Sequence, residues 1–135
     1  MVEKNIAIDG PAGAGKSTVA QLVAQQLKKT YIDTGAMYRA LTFLALEQGS
    51  DLESEADLVL LLRDAVITLE QEGESQRVFA NGKDVTNEIR TQLVTSHVST
   101  VAKHPTVRQL MVRKQQELAR SGNVVMDGRD IGTKV

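Results

Sequence analysis

The amino-terminal part of the chain alternates between short apolar runs and stripes of apolar residues at helical spacing. Residues 5–9 and 31–33 are apolar runs that predict buried strands. Helical spacing follows each run, from Lys16 to Leu27 and again up to the vicinity of Gly49. The apolar stripe of that second helix consists of Met37, Ala40, Leu41 and Leu44. Strand, glycine-rich turn, helix, strand and helix indicate an α/β protein with a parallel sheet.

The middle of the chain has a different pattern. Ser54 opens a leucine-rich helical segment, and its Ser-x-x-Asp spacing is typical of a capped helix start. Three short runs follow, at 66–69, 76–80 and 84–86, and Asn81-Gly82 between the last two is a strong hairpin signal. We therefore predict a small antiparallel meander inserted into the α/β framework.

Two further helices and a last strand follow the meander. The first helix is predicted to begin with Ile89, Leu93 and Val94, and His104-Pro105 breaks it. The second helix has an apolar stripe of Val107, Leu110, Met111 and Leu118, and Gly122 closes it. Residues 123–127 are typical of a core strand. Because Val135 follows soon after, we expect either a minimal sheet or a segment of a longer domain.

A phosphate-binding motif lies between the first predicted strand and the first predicted helix. Its residues are Gly10, Pro11, Ala12, Gly13, Ala14, Gly15, Lys16 and Ser17, which match G-x-x-x-x-G-K-[ST]. Such glycines let backbone N–H groups surround an anion, and the helix that follows directs its positive end at the phosphates. Lys16 supplies a cation for the β- and γ-phosphates, and Ser17 a hydroxyl for Mg²⁺. The motif predicts binding of a nucleoside triphosphate; a glycine-rich connection without a ligand is the disfavoured alternative.

Arginines beside small or acidic residues occur at two predicted strand ends, where open α/β sheets bind ligands. Arg39 closes the segment Asp-Thr-Gly-Ala-Met-Tyr-Arg at 33–39, and Arg129 lies in Asp-Gly-Arg-Asp at 127–130. Arg108 flanks the apolar stripe of its helix, where it could face a cleft. Taken singly, these arginines could be solvated or ion-paired, the aspartates could bracket a turn, and Tyr38 could pack at the edge of the core.

Such arginines suit phosphoryl transfer between two phosphates. A donor triphosphate repels an acceptor monophosphate, which carries about −1.5 to −2 at neutral pH. Guanidinium groups bind phosphate oxygens in pairs and keep their charge. Because the acceptor is already ionised, no general base is needed, and positioning and charge neutralisation carry the catalysis.

Charge and composition exclude several classes of protein. The 16 basic and 17 acidic residues give a net charge of −1, so bulk positive charge does not hold the chain to nucleic acid or membranes. The absence of cysteine excludes disulfides and thiol catalysis. The longest apolar stretch, 58–69, is interrupted by charges and is far short of the roughly 18 residues of a spanning helix. Without a signal-peptide pattern, we expect a cytoplasmic protein.

Four motifs together resemble the bacterial cytidylate kinases. They lie at 10–18, 33–39, 88–91 and 127–133, in matching order and spacing over the whole chain. The resemblance implies a P-loop NTPase core with a parallel sheet and an inserted nucleoside-monophosphate-binding region that contains the meander. It also implies a monomer that transfers a phosphoryl group from ATP to CMP or dCMP with Mg²⁺.

The resemblance implies a role for each matching residue. The loop from Gly10 to Thr18 would hold ATP, Ser17 would bind Mg²⁺, and Lys16, Arg39 and Arg129 would be catalytic. The substrate-binding residues would be Thr34, Tyr38, Arg39, Arg108, Asp127, Arg129 and Asp130. Of these, Arg39 and Arg129 would grip the acceptor phosphate, and Arg108 and Asp130 would contact the cytosine. Thr34 would lie beside the nucleotide where the family commonly has Ser, Tyr38 would line the pocket, and Asp127 would bind the sugar or orient Arg129.

The family continues past the matched part with further core strands and an arginine-bearing lid over ATP. The chain therefore resembles the amino-terminal portion of such an enzyme: residues 1–35 and 106–135 would form a partial core, and 36–105 the monophosphate-binding region. Since a lid excludes water and completes the charge clamp, we expect this segment alone to bind nucleotide weakly and turn over little.

Two alternatives stay open. Another P-loop kinase, such as an adenylate kinase, would also place a hydroxyl residue and an arginine after the second strand, although the meander and the Asp-Gly-Arg-Asp segment argue against it. The other is a non-catalytic nucleotide-binding or RNA-binding module. Its basis is a local set of basic residues, namely Lys103, His104, Arg108, Arg113, Lys114 and Arg120. A solvated helix face is the favoured interpretation of that set. His97 and His104 lack metal-ligand spacing and are predicted to be structural or surface residues.

Overall fold

The computed structural model describes residues 6–9, 30–72, 75–119 and 124–128. In these ranges the strands are β1 (Ile6–Asp9), β2 (Thr30–Asp33), β3 (Ile67–Glu72), β4 (Ser75–Ala80), β5 (Lys83–Asp84) and β6 (Val124–Gly128). The α-helices are α1 (Thr34–Gln48), α2 (Glu55–Asp64), α3 (Gln92–Ala102) and α4 (Pro105–Ala119), and Glu88–Arg90 forms a 3₁₀ turn. None of the helices in these ranges has the length and apolar character needed to cross a membrane.

The chain divides into two compact units. The first comprises Met1–Gly35, Gln71–Ser75 and Val112–Val135, and the second Ala36–Glu70 and Gln76–Met111. Each unit is therefore assembled from segments that are far apart in sequence.

The first unit contains a parallel sheet with strand order β1-β6-β2. In its register, Asp9 lies opposite Gly128 and Asp33 opposite Asp127. The predicted parallel arrangement is confirmed for these three strands, each within one residue of its expected start. Because all three run in the same direction, their carboxyl ends lie at one edge, where α/β sheets bind ligands.

Helix α1 follows β2 without an intervening loop. The four residues of its predicted stripe are buried, as are Ala36, Thr42 and Ala45. The helix ends as expected at Gly49, whose φ of 71° is left-handed. Gly49 N donates to Leu46 O and Ser50 N to Ala45 O, the paired bonds of a Schellman motif, which satisfy carbonyls at the helix end.

Helix α2 begins where the sequence predicts it. Ser54 is the N-cap, and its Oγ accepts a hydrogen bond from Asp57 N at 3.3 Å. Leu58 and Leu62, four residues apart, are fully buried, whereas Leu60 is half exposed on the opposite side. The leucine-rich segment is thus amphipathic and packs one face into the core.

The predicted meander is present as a sheet of order β3-β4-β5, with β4 and β5 antiparallel. The turn between β4 and β5 has positive φ at Asn81 (52°) and Gly82 (83°), as a type I′ hairpin requires. Asn81 also ties the turn to the end of α2: its backbone N donates to Val66 O at 2.7 Å, and its Oδ1 accepts from Val66 N at 2.8 Å.

Strand β5 is shorter than the predicted run at 84–86. The carboxylate of Asp84 accepts hydrogen bonds from both the backbone N and the hydroxyl of Thr86, which turns the chain out of the strand. The Thr86 hydroxyl in turn accepts from Val78 N at 2.9 Å. The strand expectation for 85–86 was wrong: Val85 N still donates to Val78 O at 2.8 Å, but the return bond from Val78 N goes to the Thr86 side chain instead of a backbone carbonyl.

The helix expected from Ile89 begins later. Ile89 is buried in the 3₁₀ turn, Thr91 is the N-cap of α3, and the α3 residue Leu93 is mostly exposed rather than part of the core. Pro105 then starts α4, where its missing N–H costs nothing. The largest fully buried side chains of the second unit are Met37, Leu41, Leu58, Leu62, Met111, Val85, Val94, Val101, Val107 and Thr42.

We expect Asn81→Ala to destabilise the second unit by about 2 kcal/mol, because alanine resists the left-handed conformation and removes the acceptor for Val66 N. Asn87→Ala is the matched control: Asn87 is exposed, has negative φ, and its side chain makes no capping bond. Urea unfolding of both variants measures the effect. Equal stabilities of the two variants would contradict this account of the turn.

Candidate functional site

The described candidate site residues of the first unit lie at or directly after the carboxyl ends of the parallel strands. Thr34 begins α1 directly after β2 and is buried. Asp127 lies in β6, and its backbone is in register with Asp33 of β2. The sheet therefore brings these two predicted segments to the same edge. The loop from Gly10 to Thr18, including Lys16 and Ser17, lies outside the described residues, as do Arg129 and Asp130.

Gly35 allows the close approach of a carboxylate at the start of α1. A Cβ at Gly35 would lie 3.2 Å from Asp33 Oδ1, closer than ordinary van der Waals contact. A side chain here would push the Asp33 carboxylate away from the strand–helix junction.

Tyr38 and Arg108 come together in the second unit. Tyr38 lies on α1 and is half-buried, and Arg108 lies on α4 with an exposed side chain. Burial raises the pKa of the Tyr38 phenol, and the nearby positive charge of Arg108 partly offsets this by favouring the phenolate. Tyr38 and Arg108, for which the resemblance implies roles in the nucleotide pocket, are thus close enough to interact electrostatically.

Arg39 is held by acceptors from two distant segments of the same unit. Its Nη1 donates to Ile89 O at 3.3 Å and to Thr95 Oγ1 at 2.8 Å. Both acceptors are uncharged. Among the described residues, no carboxylate forms an ion pair with Arg39, so its charge is uncompensated there.

Hydrogen bonds join the start of α4 to the loop that precedes α2 and to the first turn of α2. His104 is buried, and its Nε2 donates to Leu52 O at 2.8 Å. Glu55 Oε2 accepts from Thr106 N at 3.0 Å, which places a negative charge at the positive end of α4. Arg108 follows one turn later, its backbone N bonded to His104 O at 3.1 Å. The predicted structural role of His104 is confirmed.

No sequence pattern pointed to Thr95, Glu55 or Leu52 as partners of the candidate site residues. Thr95 is an ordinary helix residue by pattern, and Glu55 is one of two acidic residues in the first turn of α2. Their partners lie about fifty residues away in sequence. The spacing of residues within a short stretch of sequence does not predict pairs that are this far apart.

The basic residues of the RNA-binding alternative do not present one exposed face within the described residues. Lys103 forms an ion pair with Glu53, and His104 is buried. Arg108 lies beside Tyr38, while Arg113 is exposed further along α4. Arg120 lies outside the described residues. In the part of the chain that the structure describes, no group of three or more His, Cys, Asp or Glu side chains could hold a metal ion.

Comparison with known proteins identifies related sequences. Residues 6–135 match the family model for cytidylate kinase. Among curated proteins named cytidylate kinase, the chain is 61% identical to that of Bacillus cytotoxicus over 131 residues and 59% identical to that of Geobacillus sp. over 130. It is 60% identical to that of Bacillus cereus strain B4264 over 131 residues. These alignments cover 96–97% of this chain and 58% of each relative, so the chain spans less than two thirds of their length.

We expect Arg108→Gln to raise the pKa of the Tyr38 phenol further, because the neighbouring positive charge that favours the phenolate is lost. Spectrophotometric titration in a Tyr31→Phe background, which leaves Tyr38 as the one tyrosine, measures the midpoint. Arg113→Gln removes an equal charge from an exposed position of the same helix and should leave the midpoint in place. A midpoint unchanged in Arg108→Gln would contradict the proximity of the two side chains.

Proposed function

The chain belongs to the cytidylate kinase family, and we propose that the protein containing it transfers the γ-phosphoryl group of ATP to CMP or dCMP. The observation that carries this proposal is the parallel sheet. The segments that begin at 10, 34 and 129 all follow the carboxyl ends of three adjacent parallel strands. Donor and acceptor sites built on those segments would start from one edge.

The donor site is assigned to residues 10–18. Strand β1 ends at Asp9, immediately before Gly10, as a phosphate-binding loop between strand and helix requires. Backbone N–H groups of this loop and the Lys16 ammonium would bind the ATP phosphates. The Ser17 hydroxyl is a hard oxygen ligand of the kind that Mg²⁺ prefers. Bound there, Mg²⁺ would neutralise part of the phosphate charge.

The acceptor site is assigned to residues in three separate segments of the chain. Arg39 and Arg129 would bind the phosphate of CMP, and the uncompensated charge of Arg39 supports this role. Arg108 and Asp130 would contact the cytosine, while Thr34 and Tyr38 would line the nucleotide pocket. Asp127 would bind the sugar or orient Arg129. Residues 36–105 would form the monophosphate-binding region, and 1–35 with 106–135 the partial core.

The reaction needs positioning and charge neutralisation. An oxygen of the CMP phosphate attacks the γ-phosphorus, the bond from that phosphorus to the β–γ bridging oxygen breaks, and ADP and CDP result. The attacking oxygen is already ionised, so no proton has to be removed. Fixed guanidinium groups would offset the repulsion between the two anions and hold the acceptor in line.

We expect the intact protein to phosphorylate CMP and dCMP in an assay coupled to ADP formation, with AMP, UMP and shikimate as comparison substrates. Arg39→Met should lower kcat/KM for CMP on the order of 100-fold, the usual effect of removing a group that neutralises transition-state charge. Arg113→Gln, on the exposed face of α4, is the control and should keep full activity. Phosphorylation of AMP alone, or salt-dependent RNA binding without any nucleotide phosphorylation, would contradict the proposal.

We expect the 135-residue chain by itself to turn over CMP much more slowly than the longer relatives it matches. The chain spans 58% of the Bacillus cereus protein, and the family resemblance assigns an arginine-bearing lid to the remainder. The predicted deficit in kcat/KM is on the order of 100-fold, comparable to the cost of misplacing a reacting group. The coupled assay on this chain beside the Bacillus cereus protein measures it, and equal turnover would contradict the expectation.

A further inference from the structure

The guanidinium of Arg39 is tethered through one nitrogen only. Both of its hydrogen bonds, to Ile89 O and Thr95 Oγ1, start from Nη1. A guanidinium has five N–H donors, of which Nη1 carries two. In the described ranges no other hydrogen bond to Arg39 is formed, so the edge made by Nε and Nη2 keeps two parallel N–H donors, one from each nitrogen, for a ligand.

In the same unit, Arg77 binds a carboxylate through the corresponding Nε–Nη2 edge of its guanidinium. Its Nε donates to Asp84 Oδ2 at 3.0 Å, and its Nη2 donates to the same oxygen. The charge of Arg77 is thereby compensated and its Nε–Nη2 edge occupied. Arg39 is tethered on the opposite side of the guanidinium by a carbonyl and a hydroxyl, which restrain it without neutralising it.

Thr95 is suited to the tethering role by its position and shape. It lies on α3, and its side chain is exposed. Threonine is branched at Cβ, which restricts χ1 on a helix to two main rotamers and so limits the directions that its hydroxyl can take. Arg39 lies on α1, and the hydrogen bond at 2.8 Å therefore joins a long, flexible side chain to a short hydroxyl with few accessible directions.

We propose that Thr95 is a positioning residue: its hydroxyl aims the Nε–Nη2 edge of Arg39 at the phosphate of the acceptor nucleotide. This role rests on the proposed function, in which Arg39 binds that phosphate. Thr95 itself does not touch the substrate. Its loss leaves the charge of Arg39 in place but frees the guanidinium to adopt orientations in which the phosphate meets fewer donors.

The test compares Thr95→Val with Thr95→Ser in the intact protein. Valine keeps the branched shape and loses the hydroxyl, whereas serine keeps the hydroxyl. We expect Thr95→Val to weaken CMP binding about tenfold in isothermal titration, close to the lower end of the range for a hydrogen bond to a charged group. Cytidine, which lacks the phosphate, should bind to Thr95→Val with the same affinity as to the wild type. Thr95→Ser should stay within about twofold of the wild type.

Three further measurements separate positioning from a structural effect. Thr100→Val, the same substitution at another position of α3, should leave CMP binding unchanged. Thr95→Val should raise KM for CMP and leave KM for ATP and the urea midpoint in place. In an Arg39→Met background, Thr95→Val should have no additional effect on CMP binding, because the group it positions is gone.

The outcomes distinguish this inference from the proposed function. If the wild type binds CMP no better than cytidine, or if Arg39→Met leaves CMP binding intact, the proposed role of Arg39 fails. If Arg39→Met weakens CMP binding but Thr95→Val does not, the positioning role of Thr95 is overturned. Equal weakening of CMP and cytidine by Thr95→Val, or a loss that persists in the Arg39→Met background, also overturns it.

Discussion

The common direction of β1, β6 and β2 is the constraint from which the candidate site follows. Backbone hydrogen bonding places β6 between the other two strands, with Asp9 opposite Gly128 and Asp33 opposite Asp127. Parallel neighbours cannot be joined by a tight turn, so each connection leaves the sheet at its carboxyl end and returns by a crossover. Three segments with candidate ligand-binding residues thus start from a single edge. Had β6 been antiparallel, the segment that follows it would leave from the opposite edge.

A positively charged side chain binds a phosphate well only if no carboxylate of the protein already neutralises its charge. Arg77 and Arg39 illustrate both cases within one unit: the former pairs with Asp84, the latter bonds only to a carbonyl and a hydroxyl in the described residues. The first arrangement stabilises the meander. The pKa of Asp84 is lowered to about 2, chiefly by the two hydrogen bonds from Thr86 and further by the contact with Arg77. The second keeps a cation restrained and uncompensated, which is what binding of an anionic substrate needs.

The second unit also positions Arg108 through contacts distant from it in sequence. His104 and Thr106 at the start of α4 bond to Leu52 and Glu55. These bonds fix the first turn of the helix, and Arg108 belongs to the next one. Its neighbour Tyr38 is carried by α1. The start of α4, and with it the turn that carries Arg108, is therefore held by hydrogen bonds to residues about fifty positions earlier in the chain.

Local features of the chain were predictable from the sequence because their causes lie within a few residues. The capped start at Ser54, the left-handed end at Gly49 and the hairpin at Asn81-Gly82 each follow from the chemistry of one or two side chains. The strands were predictable from apolar runs of the expected length. The error at Thr86 is instructive, since β propensity favoured a strand while the Asp84 carboxylate offered the backbone a competing partner.

By itself, the amino-acid sequence determined the α/β class, most of the described elements in chain order and the phosphate-binding motif, all of which depend on periodicity and short-range spacing; the helix predicted from Lys16 to Leu27 lies outside the described residues. Only the tertiary structure decided that β6 lies between β1 and β2, that Arg39 bonds to Thr95, and that Glu55 caps α4. Such pairings join residues far apart along the chain through directional hydrogen bonds. The sequence pattern does not predict these pairings, because many other residues of the same type could have supplied the same donor or acceptor.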